Sequence, residues 1–472
     1  MMNLRPYQEK TINSLRHNLS KGLKRLIMCA PTGSGKTVMF SFMISRAIEK
    51  SNKCLILTHR TELLTQAGGV LSKLNCEVVN LDAKSKKIDK NASLYVAMTQ
   101  TLIRRIKKVE YLELLQSVDL IIIDESHLQN FNSIFPFINP NTIVIGATAT
   151  PYRNNNQTGL DEFYQEIIED VTISSLISEG YLSKPIYYGF KVDLKGIKTK
   201  GGDYDSESLG DFMNKNKLFD GVYENYTKIT PNKKAIIFSP NVSSSIKLVN
   251  ELSFKGLPIK HLDANSKDRK EILNWFENTP NALLSNVGIL TAGYDHDKID
   301  VVILYRATKS LPLYLQMVGR GSRTTENKKE FTILDFGNNV YTHDFWHIDR
   351  NWSLSKQEKS KGVAPVKSCK NCDAILPAVA KFCEYCGAEQ PKTEQEKAEA
   401  LKIELQKLTQ EDISNFLKLK NFEKLEQFAE FKSYKKSWLH YKLKLEDLQD
   451  YANYKGYSNG WVNQIKILRN GK

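Results

Sequence analysis

The residues best suited to chemistry fall in two short stretches. In "LIIIDESHLQNF", Leu120 to Phe131, an aliphatic run ends in Asp124 and Glu125, and His127 follows two places later. Two acids and an imidazole this close suit a metal cage, a protease-like centre or half of a nucleotide site. The second stretch, "CAPTGSGKTVMF", follows a strand-like run and opens a helix-like one. It has the form GxxxxGK[ST], except that Ala30 stands in place of the first glycine. Gly33 and Gly35 let the backbone curl so that successive N–H groups face an anion, and the following helix adds its positive end. Thr32, Gly33, Ser34, Gly35, Lys36 and Thr37 are therefore candidate ATP-binding residues. Lys36 would reach the β- and γ-phosphates, and the Thr37 hydroxyl would hold Mg²⁺.

With such a loop upstream, the acids gain a partner. A carboxylate at the end of a buried strand sits where ligands bind in open parallel sheets. Asp124 is then placed to hold Mg²⁺, and Glu125 to take a proton from an attacking water. His127 alone is as readily structural as functional.

A third cluster, "CKNCDAILPAVAKFCEYCG", presents Cys369, Cys372, Cys383 and Cys386 as two CxxC pairs ten residues apart. Each pair sets two thiolates on one tight turn, and tetrahedral Zn²⁺ takes four. All four positions being filled implies a structural zinc ribbon, and disulfides are the alternative. The remaining cysteines, Cys29, Cys54 and Cys76, stand singly beside apolar residues, as reduced buried thiols do.

The elements that must position these groups are legible as periodicity. RLIMCA, KCLILT, LYVAM, LIIID and TIVIGA are short apolar runs without strict alternation, the pattern of strands buried on both faces. The pattern restarts near residue 233 with KAIIFSP, IKHLDA, ALLSN, VVILYRA and FTILDFG. Two α/β domains with parallel sheets are predicted, over 1–180 and 181–352. GIKTKGGDYDSESLG, between the two patterns, reads as an exposed loop or hairpin insertion. A linker, the zinc ribbon (366–390) and a helical region (391–472) follow. In that last region Tyr434, Trp438, Tyr441 and Trp461 alternate with lysines. Such rings either stack on bases or form the core of a small helical domain.

A chain of 472 residues with net charge +14 and pI near 9.1 points to a polyanionic partner, most often nucleic acid. No apolar run reaches the ~18 residues of a membrane span. The N-terminus has no signal-like h-region, so the cytoplasm is expected.

Several further segments, in order, make the chain resemble a superfamily 2 helicase. LRPYQ resembles that family's adenine-recognition motif, which implies base recognition by Gln8 with Leu4 and Arg5 packing on the ring. THRTELLTQ and MTQTL resemble segments that hold a nucleic-acid backbone, implying contacts from Thr58, Arg60, Thr99 and Gln100. GATATP carries Thr148 and Thr150 in the place that couples hydrolysis to strand movement, and the resemblance gives His127 a similar relay role. In the second half, AIIFSPNVSSS implies nucleic-acid contacts from Ser239 and Asn241. SNVGILTAGYDHD implies that Thr291 touches the strand while Gly293 and Asp295 face the nucleotide. QMVGRGSR matches QxxGRxxR, implying that Gln316 lies near the γ-phosphate and that Arg320 and Arg323 are arginine fingers.

The resemblance implies two tandem RecA-like motor domains that hydrolyse ATP between them. DESH departs from the DEAD and DEAH spellings. With LRPYQ, TATPYR and LTAGYD it looks closer to DNA-acting branches that include the XPB, UvsW and RadD groups and phage branch-migration helicases. The expected partner is DNA, single-stranded, forked or branched, with single-stranded-DNA-binding or other replication and recombination proteins, and the expected state is a monomer. An RNA helicase, a double-stranded DNA translocase and a non-catalytic zinc-bearing adaptor are the alternatives.

Overall fold

The computed structural model describes residues 3–58, 78–82, 85, 88–153, 158–189, 192–216, 218–291, 296–355, 365–390, 410–432, 434–435 and 437–470. Cys76, Arg60, Gly293 and Asp295 lie outside the described residues. The chain forms two compact units, Met1–Pro377 and Ala378–Lys472.

Among its described residues the first unit holds two large sheets, each parallel throughout. The first orders its seven strands β3-β4-β2-β5-β6-β1-β7, where β1 is Arg25–Cys29, β2 Cys54–Thr58, β3 Val78–Leu81, β4 Leu94–Met98, β5 Leu120–Asp124, β6 Ile143–Thr148 and β7 Glu166–Ile168. The central strands are apolar on both faces because helices cover both faces. Ile121, Ile122 and Ile123 are wholly buried, each stabilising the fold by about 1.5–3 kcal/mol. Two helices matter to the site. Helix α1, Pro6–Ser20, starts on a proline and buries Tyr7, Gln8, Thr11, Ile12 and Leu15 on one face. Helix α2, Lys36–Ile48, starts directly after the left-handed Gly35.

The second sheet runs β12-β13-β11-β14-β15-β8. Here β8 is Lys184–Gly189, β11 Ala235–Phe238, β12 Ile259–Leu262, β13 Leu283–Asn286, β14 Val301–Leu304 and β15 Glu330–Asp335. The segment expected to be a loop or hairpin contains a short hairpin, β9 Thr199–Lys200 with β10 Asp203–Tyr204, turning at Gly201 and Gly202. Its flanks are regular structure: β8 is an edge strand of the sheet, and helices Ser206–Lys215 and Leu218–Ile229 cover the sheet through Leu209, Met213, Phe219, Val222 and Tyr226. Asp205 caps the first of these helices by accepting from the Ser208 amide at 2.9 Å, a start signal set within Gly- and Ser-rich sequence.

A last antiparallel pair, β16 Val366–Ser368 and β17 Ile375–Pro377, carries the first cysteine knuckle. It anchors on β8, where Ile375 lies so close to Gly189 that a Cβ there would meet its Cδ1 at 2.4 Å. In the second unit, described by itself, helices from Phe422 onward enclose Leu425, Phe428, Leu439, Leu448, Tyr451, Val462 and Ile465.

Where β15 ends, the buried Asp335 carboxylate organises the following turn. It accepts from the Gly337 amide at 3.0 Å, the Val340 amide at 2.8 Å and the Asn339 side-chain amide at 2.8 Å. Burial pushes its pKa up to about 6 despite these donors. The folded value exceeds the unfolded value of about 3.9, so the stability this proton contributes is full below about pH 4. It is lost as pH rises through about 6. Asp335→Asn is expected to remove that dependence. The stability difference between variant and wild type should then shift by roughly 1–3 kcal/mol between pH 4 and 7 in urea titrations. Parallel pH profiles would contradict the assignment.

Candidate nucleotide site between the motor domains

Strand register brings the candidate residues to one edge. Cys29 pairs with Thr148, and Ala147 pairs with Asp124. The ends of β1, β6 and β5 therefore align, and the Ala30 amide continues the pairing onto the Thr148 carbonyl at 3.0 Å. The phosphate loop, the DESH acids and the TAT segment all emerge there.

The loop turns at Gly33 (φ +93°) and Gly35 (φ +79°), both in the left-handed region that glycine adopts without a Cβ penalty. Its curl is held from α1. The Tyr7 hydroxyl donates to the Ser34 carbonyl at 2.8 Å, and Gln8 Nε2 donates to the same oxygen at 3.0 Å. Gln8 Oε1 accepts from the Arg5 amide at 3.0 Å, so the amide closes the start of α1 as well. The Arg5 guanidinium lies 4.9 Å from the Tyr181 ring centre, and Tyr181 meets Tyr7 edge-on at 4.9 Å. Leu4 is partly buried against the core that includes Tyr7. The adenine-motif residues thus touch both the loop and the connection between the two sheets.

Lys36 Nζ donates to the carbonyls of Ala30 at 3.1 Å and Pro31 at 3.3 Å. Burial lowers its pKa, and the nearby Glu125 and Asp124 carboxylates work against that shift. An ammonium this close to both acids, inside a curl of glycine backbone, fits a phosphate chain bridged to a divalent cation. Thr37 opens α2 beside it. Asp124 ends β5, buried. Glu125 follows at φ +50°, a left-handed conformation that costs a non-glycine residue roughly 1–2 kcal/mol. Its carboxylate lies 3.5 Å from His127 Nδ1, and that nitrogen shares a hydrogen bond with Thr148 Oγ1 at 2.8 Å. The Thr150 amide donates to the same hydroxyl at 3.1 Å. Glu125, His127, Thr148 and Thr150 thus form one buried chain.

The second sheet supplies the opposing wall. Helix α3, Leu311–Val318, carries the buried Gln316 and ends at Gly319, whose missing Cβ leaves room for Thr32. Beyond it, Arg320 Nε and Nη2 donate to the Thr291 carbonyl at 3.2 and 2.9 Å. Arg323 Nη1 crosses to the Gly33 carbonyl at 3.2 Å. The arginine turn and the phosphate loop therefore touch directly.

The residues expected on nucleic acid are arranged differently. Gln100 is exposed. Thr99 Oγ1 donates to the Thr58 carbonyl at 2.8 Å, with both residues buried. Ser239 Oγ pairs with Ser285 Oγ at 2.9 Å, and Asn241 caps helix Val242–Phe254 through the Ser244 amide at 2.8 Å. Thr291 is buried as well. These side chains are turned inward because hydroxyls and amides at strand ends satisfy neighbouring backbone groups.

Several contributors had no sequence signal. Arg153 donates to the His127 carbonyl at 2.8 Å and the Leu128 carbonyl at 3.2 Å, tying the TATPYR segment to DESH. Ser126 packs where a Cβ on Gly146 would come within 2.6 Å of its Oγ, so DESH and GATATP interlock through small residues. Lys328 Nζ donates to the Gly321 carbonyl at 2.6 Å and fastens the turn between the two arginines, and burial lowers its pKa to about 8.

The four cysteines of the ribbon form one cluster, with their sulfurs within 4.8 Å of one another. Four thiols so gathered have the donor set of a tetrahedral zinc site.

Comparison with known proteins agrees with this geometry. A model described as the res subunit of type III restriction enzymes matches residues 1–153, and the helicase conserved C-terminal domain matches 215–325. A 51.5 kDa protein of a Lactococcus phage is 28% identical over 81% of this chain and 82% of its own length. The putative ATP-dependent helicase IRC3 of Saccharomyces cerevisiae is 29% identical over 71% of this chain, which spans only 51% of that protein. A fragment of a putative HsdR subunit of a type I restriction enzyme from Vibrio vulnificus superposes with a TM-score of 0.57. It shares 22% identity, and the match covers 72% of this chain and 65% of that one. These domains and relatives mark an ATP-dependent hydrolase similar to the superfamily 2 helicases. Among the described residues no helix is long and apolar enough to cross a membrane.

Two measurements follow. Gly35→Ala would place a Cβ 2.6 Å from Gln8 Nε2 in a strained backbone, so titration with a fluorescent ATP analogue should show roughly tenfold or greater loss of affinity. Unchanged affinity would show that the loop does not need its clasp from α1. Purified protein should carry about one zinc per chain, and Cys383→Ser should lose it. Metal-free wild-type protein would rule the ribbon out.

Proposed function

We propose that the protein is an ATP-dependent DNA helicase or translocase that hydrolyses ATP in the cleft between its two motor domains. The observation that carries this reading is the convergence of the phosphate loop, the DESH acids and the arginine turn, closed by the Arg323 contact with the Gly33 carbonyl.

In this mechanism the amides of Thr32–Thr37 and the Lys36 ammonium take the phosphates. Gln8 reads the adenine edge, with Arg5 and Leu4 beside the ring. When bound between Thr37 and Asp124, Mg²⁺ would neutralise phosphate charge. Glu125 accepts the proton of the attacking water, and its forced backbone turn aims the carboxylate before substrate arrives. Arg320 and Arg323 leave backbone carbonyls for phosphate oxygens, which are stronger, charged acceptors. Gln316 completes the wall from the second domain, and the family resemblance leads us to expect Gly293 and Asp295 to face the nucleotide. Arginines supplied across a cleft are worth ~10³–10⁵ in rate, so hydrolysis depends on closure. His127, Thr148 and Thr150 pass that state to the edge that would carry the strand, where Thr58, Arg60, Thr99, Gln100, Ser239, Asn241 and Thr291 lie or are expected. Zn²⁺ on Cys369, Cys372, Cys383 and Cys386 would be structural.

The net charge of +14 and the restriction-type domain match favour DNA as the polymer. That match also supports a second reading, movement on duplex DNA without strand separation. The proposed role is in replication, recombination or repair, on forked or branched DNA alongside single-stranded-DNA-binding proteins; the phage relative supports only the setting, a bacterial or phage-infected cytoplasm.

ATP turnover should be stimulated by DNA, and comparison of single-stranded, duplex and forked DNA with RNA identifies the polymer. Stimulation by RNA alone would sink the DNA reading. Strand-displacement and triplex-displacement assays separate unwinding from duplex translocation. Glu125→Gln should bind ATP normally and turn over ~10²–10⁴-fold more slowly. A wild-type rate would show that the base lies elsewhere.

A further inference from the structure

The C-terminal helices divide their aromatic residues between two uses. Phe422, Phe428 and Tyr451 are core, and Trp461 packs against them. Others remain outside: Tyr434 is 44% exposed and Tyr441 is 50% exposed. They fall in 431–445, a stretch with five lysines and no acidic residue. Tyr434 lies on Trp438 with ring centres 5.0 Å apart and planes tilted by 31°. Lys432 Nζ sits 5.9 Å from the Phe428 ring centre and 5.6 Å from that of Phe431. Trp438, Tyr441 and Lys442 recur at the first, fourth and fifth positions of helix Trp438–Lys442, and so share one side of its turn. The Arg469 guanidinium lies 6.0 Å from the Tyr441 ring centre.

Charge in this unit is segregated. Lys420 is paired with Asp447 and Asp450, and Lys455 with Glu426. No ion pair joins Lys432, Lys435 or Lys442 to an acid among the described residues. Half-exposed rings set among unneutralised ammonium groups waste apolar area and concentrate like charge unless a polyanion with flat apolar faces covers them. Single-stranded nucleic acid is such a polymer: its bases stack on rings and its phosphates meet lysines. Duplex DNA hides the base faces and would meet only the charge.

We propose that Lys432, Tyr434, Lys435, Trp438, Tyr441 and Lys442 form a binding face for single-stranded nucleic acid, separate from the motor cleft. The inference rests on nucleic acid being the polymer of the motor. It gives the C-terminal domain the work of holding one strand while the motor cycles.

The test uses the full-length protein and a fluorescein-labelled oligothymidylate, with anisotropy measured across a salt series without nucleotide. The double variant Tyr434→Ala, Tyr441→Ala should bind about tenfold more weakly, while Tyr434→Phe, Tyr441→Phe should bind as wild type. The triple variant Lys432→Gln, Lys435→Gln, Lys442→Gln should flatten the slope of log K against log salt by about 0.7 per phosphate contact, roughly 2 in all. ATP turnover without nucleic acid should stay unchanged in every variant, which also reports that the motor is folded. Wild-type affinity and slope in the alanine and glutamine variants would overturn the proposal. So would a larger loss for a duplex of the same length, or binding of anionic phosphatidylglycerol vesicles in preference to the oligonucleotide. Failure of the proposed motor function shows separately, as wild-type turnover that no nucleic acid stimulates.

Discussion

In the first sheet the pairing of Cys29 with Thr148 and of Ala147 with Asp124 leaves three strands ending at one level. A slip of one residue in any of them would turn its side chains to the opposite face and withdraw its terminal group from the cleft. The register is protected by burial on both faces, since each of these strands carries wholly buried aliphatic residues. The same apolar packing that stabilises the sheet therefore sets the distances among an ammonium, two carboxylates and a threonine-held imidazole.

What the register brings close, small residues allow to touch. Gly33 stands where a Cβ would meet Leu182 Cδ2 at 2.7 Å, and Gly319 where one would meet Thr32 Cβ at 2.8 Å. The contact between the loop and the opposing wall is thus backbone against side chain, with the arginines resting on carbonyl oxygens. Each such bond joins a charged donor to a neutral carbonyl and contributes about 1.5–3 kcal/mol, and a phosphate oxygen, charged as well, is the stronger acceptor. The cleft is held in order by contacts weak enough for a substrate to replace.

The apolar strands were legible because burial on both faces leaves an uninterrupted aliphatic run, and two parallel-sheet α/β domains followed from that pattern, while their reading as motor domains came from the family resemblance. Strands β3, β7 and β8 were not legible. β3 and β7 are short edge strands, and β8 begins Lys-Pro, residues that read as punctuation yet suit a sheet edge. The helices over 206–229 were hidden by the Gly- and Ser-rich sequence that caps them. In the site, Lys36, Asp124 and Glu125 were singled out by residue type and spacing, and Gln316, Arg320 and Arg323 by resemblance to a family motif. Arg153, Tyr181 and Lys328 could not, since their work is done on carbonyls and rings distant in sequence. The inward turn of Ser239, Asn241 and Thr99 was equally invisible, because a hydroxyl's partner depends on the strand beside it.

One contact in the ribbon bears on where the motor ends. Among the described residues strand β8 stands last in the second sheet, beside β15. The hairpin β16–β17 lies against it, with Ile375 seated over Gly189. A fragment cut after Trp352, past the last helicase motif, would strip that cover from Gly189 and Tyr341. The segment that carries the first cysteine pair therefore also packs on the second sheet, so the cysteine cluster and the motor share a contact that a shorter chain would lose.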